Sequence, residues 1–314
     1  MNQKFQLGGQ ALIEGVMMRS PNFIGAAVRR KDGRIETRVD AFHSLGQRYS
    51  ILAIPLIRGM VALVEMMMVG MRYLNWSGNL ALEDEEPDAE KKVNSSMPWW
   101  ALALTVVASL GFGLALFVVL PNLVVQYSVH HMTHNVILLN LTEGIVKLII
   151  FLGYLYLIGR RSNIHRLFEY HGAEHKVVYA AENNCPLTPD GARPFDTPHP
   201  RCGTGFALLT VFVSVICFVF LPWTNSDLQR VAWRLLLMPL VAGISYEVIK
   251  LTVNPQLGGL AKIILTPGMW LQRLTTAQPD DEQLAVSCEA MKVVLAAEAE
   301  FKSKNSEAFS EPVV

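Results

Sequence analysis

Charge is what this sequence has least of. Only 17% of its 314 residues are Asp, Glu, Lys or Arg, and the 27 basic side chains are balanced by 27 acidic ones. A chain with no net charge and no basic stripe lacks the electrostatic footprint of a nucleic-acid binder, so no nucleic-acid partner is expected. Cysteine is also sparse: Cys185, Cys202, Cys217 and Cys288 are four in all, and Cys217 stands inside an apolar run. That usage argues against a disulfide framework. The first residues, MNQKFQLGGQ, are polar and glycine-rich and do not read as a secretory leader. No internal repeat is visible.

Apolar residues are abundant, at 51% of the chain with a mean hydropathy of +0.30, and they are concentrated. Residues 99–120 and 203–223 carry no charged side chain, and each is long enough to cross a bilayer core as a helix. Residues 136–158, with Glu143 and Lys147, and 231–253, with Arg234, Glu247 and Lys250, qualify with blemishes. The expected fold class is therefore mainly α, a polytopic membrane helix bundle of about four spans. Glu143 and Lys147, at i and i+4, are expected to pair with each other. Otherwise the outer halves of the spans look nearly bare of polar groups.

Lysines and arginines set the expected orientation. Residues 1–98 hold twelve, 121–135 none, 159–203 six, 223–234 two and 250–314 six. Four crossings put the three rich segments on one side, which the positive-inside rule makes the cytoplasm. The expectation is a multi-pass protein of the inner (plasma) membrane, with the lipid bilayer as partner and both termini cytoplasmic.

Four regions follow. Residues 1–50 read as a β-rich cytoplasmic element, because AAVRRKDGRIETRV alternates around an Asp32-Gly33 turn in the manner of a β-hairpin. Glu14 stands isolated in the apolar GGQALIEGVMMRSP. Residues 51–98 hold an interfacial or re-entrant helix over 54–76, whose Arg58, Glu65 and Arg72 recur at sevenfold spacing, and then the acidic linker EDEEPDAEKK. Residues 99–255 are the transmembrane bundle, with a cytoplasmic metal-site segment at 160–205. Residues 256–314 are cytoplasmic C-terminal helices and a tail. Within them 279–302 read as a surface helix started by an acidic cap, and the last dozen residues as disordered.

The chemistry is concentrated in HGAEHK, residues 171–176. The spacing predicts a helix over 163–181, capped by Ser162 or Asn163, with Gly172 its weak position. On it His171 and His175 lie one turn apart with Glu174 beside them, sharing a stripe with Leu167, Phe168 and Val178. An inward face cannot bury two imidazoles and a carboxylate without partners. Two histidines at i and i+4 are a helical bite for zinc, and the adjacent carboxylate can act as general base toward a water. H-x-x-E-H is also the order found in inverzincin-type hydrolases. The bland alternative is a pair of interfacial histidines bonded to backbone or headgroups. Further ligands are sought in TPHPRCGTG, where His199 and Cys202 are three apart, and in GISYEVIK, where Glu247 lies about one turn inside the last span. Lys176 and Arg201 are candidates for positioning an anionic substrate group. His130, His131 and His134 form another cluster with no carboxylate or cysteine beside it.

GGQALIEGVMMRSP, YHGAEHK, HPRCGTGF, GISYE and LTTAQPDD, in that order and from about Leu7 to Leu295, resemble the YqhQ-like family of bacterial membrane proteins. The resemblance implies a polytopic membrane protein with a metal site and a metal-dependent enzymatic activity. It supports His171, Glu174, His175, His199, Cys202 and Glu247 as that site. This chain reads TTAQPDD where the family pattern is TTREPDD, so no catalytic role is assigned to Ala277 or Gln278. The leading expectation is a metal-dependent, zinc-type hydrolase at the cytoplasmic face, with Glu174 as base. The alternative is a non-enzymatic metal-binding transporter or scaffold.

Overall fold

The computed structural model describes residues 7–85, 99–200, 202–224, 226–252 and 258–308. Arg201, most of the acidic linker and residues 309–314 lie outside the described residues, while 303–308, within the dozen residues expected to be disordered, continue the last helix. The chain opens with strands β1 (Gly8–Leu12), β2 (Gly15–Arg19), β3 (Phe23–Arg29) and β4 (Ile35–Ala41), an antiparallel sheet in sequential order. The expected hairpin is β3 and β4, with Ala26 opposite Arg38 and Gly33 at φ +87° in the turn.

β1 and β2 enlarge the hairpin into a four-stranded sheet, for a physical reason. Val16, Met18 and Ala27 point into one apolar cluster, while Met17, Ala26 and Val28 point into another. With both faces buried, the alternation that betrays a half-exposed strand is erased.

The helices follow as α1 (Leu45–Arg48), α2 (Ile57–Glu85), α3 (Trp99–Leu114), a π-helical turn (Ala115–Val119), α4 (Leu120–Ser128), α5 (Val136–Gly159) and α6 (Ser162–Glu182). After them come α7 (Pro189–Ala192), α8 (Gly203–Phe218), α9 (Asp227–Thr252), α10 (Gly258–Thr275) and α11 (Asp281–Ala308). Arg161, not Ser162 or Asn163, is the N-cap residue of α6, and its side chain makes no capping bond.

One face of the sheet packs on α2 through Tyr73 and Leu80. The other packs on α6 through Ala173 and Val177 and on α11 through Leu284, Met291 and Val294. The C-terminal helix expected on the surface therefore lines a core, and segments 1–50 and 256–314 share it. The acidic cap at its start is present: the Gln283 N–H donates to Asp280 Oδ1 at 2.7 Å and the Asp280 N–H to Gln283 Oε1 at 2.9 Å. This reciprocal pair is a capping box. Asp280→Ala is expected to lower stability by about 1 kcal/mol, read as a shift in the denaturation midpoint of the purified protein.

Three helical stretches are long and apolar enough to cross a membrane: Leu104–Ser128, Val136–Gly159 and Asp227–Thr252. The fourth expected span, α8, has 16 residues. At 1.5 Å per residue it reaches about 24 Å, less than a hydrocarbon core of about 30 Å. The π-helical turn falls immediately before Leu120 and Pro121. Proline removes one amide donor and crowds the preceding turn, and a local widening of the helix relieves both.

The recurring charges of α2 are used inside the protein. Arg58 forms a two-point pair with Glu247 on α9, Glu65 accepts from Ser44 Oγ at 2.9 Å and from the Leu45 N–H, and Arg72 lies 4.0 Å from Asp40. An adjoining face exposes Val64, Met67, Met68 and Met71.

Within the membrane helices Glu143 does not pair with Lys147. It receives Arg234 Nε at 2.6 Å and also Arg234 Nη2, while Lys147 lies over the Phe218 ring at 4.8 Å. Asn140 joins the same guanidinium at 3.2 Å. Asn122 reaches Arg230, and Trp223 stacks beneath both arginines. These groups sit at the start of α4 and in the N-terminal halves of α5 and α9, so those parts of the helices are not bare of polar groups. The sequence reading failed because the partners lie on different helices, far apart along the chain. Only packing brings them together.

Candidate functional site

The inward stripe of α6 meets two segments from elsewhere in the chain: the loop 197–200 leading to Cys202, and the end of α10 with the residues after it. His171 Nδ1 donates to the Thr275 carbonyl at 2.8 Å, and His175 Nδ1 donates to the Thr197 carbonyl. A carbonyl can only accept, so each Nδ1 carries a hydrogen, and in the neutral ring each Nε2 then presents its lone pair.

His171 Nε2 lies 3.1 Å from Cys202 Sγ, and His175 Nε2 is buried without a hydrogen-bond partner. One ligand atom from each of His171, His175 and Cys202 lies within 4.8 Å of the other two. Ligand atoms around tetrahedral zinc are roughly 3.3–3.7 Å apart, given bonds near 2.0–2.3 Å. Small side-chain adjustments therefore separate this arrangement from a bound ion. The donor set, two neutral imidazoles and a thiol, suits zinc, and the carbonyls behind the rings are the usual outer partners of metal-bound histidine. The group could hold a metal ion.

Cys202 is also the N-cap residue of α8, its sulfur accepting from the Thr204 N–H at 3.4 Å.

Glu174 is buried beside this group. Its Oε2 has no hydrogen-bond partner, and β1 crosses above it so closely that a Cβ on Gly9 would stand 3.1 Å from the carboxylate carbon. Burial raises its pKa above the usual carboxylate range, against the pull of His171, His199 and the Gly9 N–H. Burial likewise lowers the His175 imidazole, opposed by Cys202, and pushes His199 down to about 4, opposed by Glu174.

The remaining candidates lie around this centre rather than in it. His199 has its ring 5.6 Å from that of His175 and its Nε2 3.8 Å from Glu182. Gln272 clamps its backbone, accepting from the His199 N–H at 2.6 Å and donating to its carbonyl at 2.9 Å. Lys176 turns away from the imidazoles and donates to the Arg193 carbonyl at 2.9 Å and to that of Phe195, tying down the loop around α7. Glu247, with both oxygens taken by Arg58 and a further bond from the Leu56 N–H, is not brought to the group. Its depth in a membrane helix is compensated by a cation from α2, not by a metal. His130 stacks on Trp223, beside the arginine pair.

Several contributors escaped the sequence. The carbonyls of Thr197 and Thr275 carry no residue-type signal, and Gln272 looks like any polar residue of an amphipathic helix. Glu14 occupies the β1–β2 turn at φ +53° and forms a two-point pair with Arg166 on α6 that docks the sheet on the metal-type helix. Gly172 was legible in principle. A Cβ there would sit well inside contact distance of the Ala277 carbonyl oxygen and 3.2 Å from Thr197 Cγ2. A glycine within an otherwise regular helix is the mark of such a close approach.

The family model described as "Protein of unknown function (DUF1385)" matches residues 54–297. The chain is 36% identical over 307 residues to the protein named "Uncharacterized protein YqhQ" of Bacillus subtilis (strain 168), covering 93% of each. No solved structure matches. With a family model spanning most of its length and a relative aligned nearly end to end, the chain belongs to the DUF1385 family and is a homologue of YqhQ.

Proposed function

We propose that the protein is a metal-dependent hydrolase of the cytoplasmic membrane face, with zinc held by His171, His175 and Cys202. The observation that carries the reading is the convergence of two imidazole lone pairs and a thiol, each ring fixed in its tautomer by a backbone carbonyl. Three protein ligands leave one position open, which distinguishes catalytic zinc sites from closed structural ones. When bound, the ion supplies Lewis acidity and brings the pKa of water toward about 7.

Glu174, with one carboxylate oxygen lacking a hydrogen bond, takes the proton from the attacking water and returns it to the leaving group. His199, held by Gln272 next to His175, is the nearest further group to contact substrate or ion. Orientation rests on the lysine and arginine asymmetry: with α8 and the residues after it taken as a fourth crossing, both termini and the site face the cytoplasm of a bacterial inner-membrane protein. Lys176 serves the site by fixing the α7 loop. Arg201, next to Cys202 in the chain, remains the candidate for binding an anionic group.

Metal analysis of the purified full-length protein tests this. One zinc per chain is expected, lost in a His171→Ala, His175→Ala double variant and kept in Glu174→Gln. Metal-free wild type of normal stability would leave only a structural role for the histidines. A Glu174→Gln protein that keeps both its zinc and full turnover of an ester substrate would remove the glutamate from the mechanism.

The second reading, a transporter or scaffold, is favoured by one observation: the buried network of Glu143, Arg234, Arg230, Asn140 and Asn122 in the membrane helices. Intramembrane ionisable residues mark pathways or braces. Here the charges are bonded to one another, which suits a brace.

A further inference from the structure

A groove unconnected with the metal-type group opens between α1, the 3-10 turn Ser50–Ala53 and the first half of α2. Leu45 and Leu52 line it from one segment and Met60, Val61, Val64 and Glu65 from the other, around a volume of about 230 Å³. At about 30 Å³ for a group the size of water, that is room for roughly seven methylenes. Glu65, the one charged residue of the lining, makes no demand on an occupant. Its carboxylate already accepts from Ser44 Oγ at 2.9 Å and from the Leu45 N–H. The groove therefore offers apolar surface only.

Its place beside the membrane helices decides what fills it. α2 starts against the C-terminal part of α9, one of the stretches long and apolar enough to cross a membrane. A Cβ on Gly243 would stand 2.9 Å from the Leu56 carbonyl oxygen, and one on Gly59 2.6 Å from Tyr246 Cβ, so the two helices meet backbone to side chain with nothing between. The 26 residues of α9 extend about 39 Å, more than a hydrocarbon core of about 30 Å. Its terminal turns thus reach the headgroup zone, and Met60, directly after Gly59, begins the groove at that level.

An apolar stripe continues from the groove along α2. Met60, Val64, Met67, Met68 and Met71 recur at helical spacing, and the last four are exposed, Met67 by 64%. The stripe ends at Arg72, which lies 4.0 Å from Asp40. Tyr49, Ile51 and Ile54, around the other wall, are exposed as well. Contiguous apolar surface of this kind marks a contact with membrane or partner, and the junction with α9 makes it membrane. Between Leu45 and Leu52 the chain also carries Arg48, exposed and lying over the Tyr49 ring at 5.5 Å. Tyrosine and basic side chains belong at the headgroup level, where a cation attracts anionic lipid.

We propose that this groove is a binding site for an anionic phospholipid. One acyl chain starts between Leu52 and Met60 and continues along Met67 and Met71, and Arg48 takes the phosphate. The site stands apart from the metal reading and needs no catalysis.

The test uses full-length protein in nanodiscs of phosphatidylcholine and phosphatidylglycerol. A trace of phosphatidylglycerol carries a diazirine near the glycerol end of one acyl chain; in a parallel sample the same probe is on phosphatidylcholine. Irradiation followed by mass-spectrometric mapping reads where the chain lies. The phosphatidylglycerol probe is expected at Leu52, Met60 and Val61 in the groove as well as at the exposed Met67 and Met68, and the phosphatidylcholine probe at Met67 and Met68 only. Val61→Trp, which fills the groove, should abolish the label at Leu52 and Met60 and leave that at Met67. Arg48→Gln should reduce the phosphatidylglycerol pattern to the phosphatidylcholine one.

Wild-type label confined to Met67 and Met68 with both probes would mean that the bilayer covers the face without seating a chain, and overturns the proposal whether or not the variants fold. No label at any of these positions would mean that protein, a second copy or a partner, covers the face, and overturns it equally. Groove labelling by both probes alike, unchanged in Arg48→Gln, would refute the anionic head and the role of Arg48.

Discussion

Replacing Gly172 by alanine is expected to damage the protein although alanine is the better helix former. The gain in helix propensity is about 1 kcal/mol. Against it stands a methyl group driven into the Ala277 carbonyl, and overpacking of this kind costs about 1–3 kcal/mol. The clash should win because its target is backbone that is held from two sides: the Ala277 N–H donates to the Phe168 carbonyl at 2.9 Å, and Thr276 Oγ1 donates to Thr197 Oγ1 at 3.2 Å.

Yielding would move the segment that carries the Thr275 carbonyl, the acceptor that sets the tautomer of His171. Loss of such an outer partner typically lowers metal affinity on the order of 10–100-fold. Chelator competition would read the affinity and a thermal melt the stability. Gly153→Ala on α5 is the control, since nothing lies within 4 Å of a Cβ there; it should melt at or above the wild-type temperature. A Gly172→Ala protein that binds zinc normally and melts higher would disprove the close approach.

Arg234→Met should be the most destabilising single change in the membrane helices. Arg234 is 2% exposed and satisfies both oxygens of Glu143, itself 3% exposed, while bonding the Arg230 carbonyl and Asn140. Removing one member of a buried pair strands the other charge and costs about 3–5 kcal/mol. The double variant Arg234→Met, Glu143→Leu should recover most of that loss, because two apolar side chains of similar volume leave no buried charge. Denaturation midpoints of both variants in detergent micelles decide it. Equal midpoints would mean that the guanidinium, not the ion pair, matters, and would weaken the brace assigned to this network.

Much of this protein was readable as a string because its strongest signals are local. The apolar runs follow from hydropathy and length alone. The β3–β4 hairpin follows from Asp32-Gly33 and alternation, and the α11 start from the acidic cap of Pro279, Asp280 and Asp281. The i, i+4 spacing of His171 and His175 puts two imidazoles on one helix face whatever the rest of the chain does. Cys202 was visible as a nearby thiol in a loop rich in proline and glycine.

What failed was pairing over distance. Glu247 looked like a charge in need of a partner, and that much held, whereas Glu143 was expected to find its partner one turn along in Lys147. Their partners are Arg58, which lies 189 positions away, and Arg234, which lies 91 away. Neither separation leaves a trace in local pattern. The same limit hid the individual strands β1 and β2 within the segment read as β-rich: β2 reads as a plain apolar run because α2 covers one face and α6 with α11 the other.

The sequence by itself determined the helical periodicity, the membrane character of the long segments and the two-histidine bite, since these depend on neighbours within a few residues. Only the tertiary structure decided which groups the bite meets. Backbone carbonyls of Thr197 and Thr275 and the sulfur of Cys202 reach His171 and His175 because α6, α8 and the end of α10 pack together. Long-range packing is a property of the whole apolar surface, and no short stretch of residues encodes it.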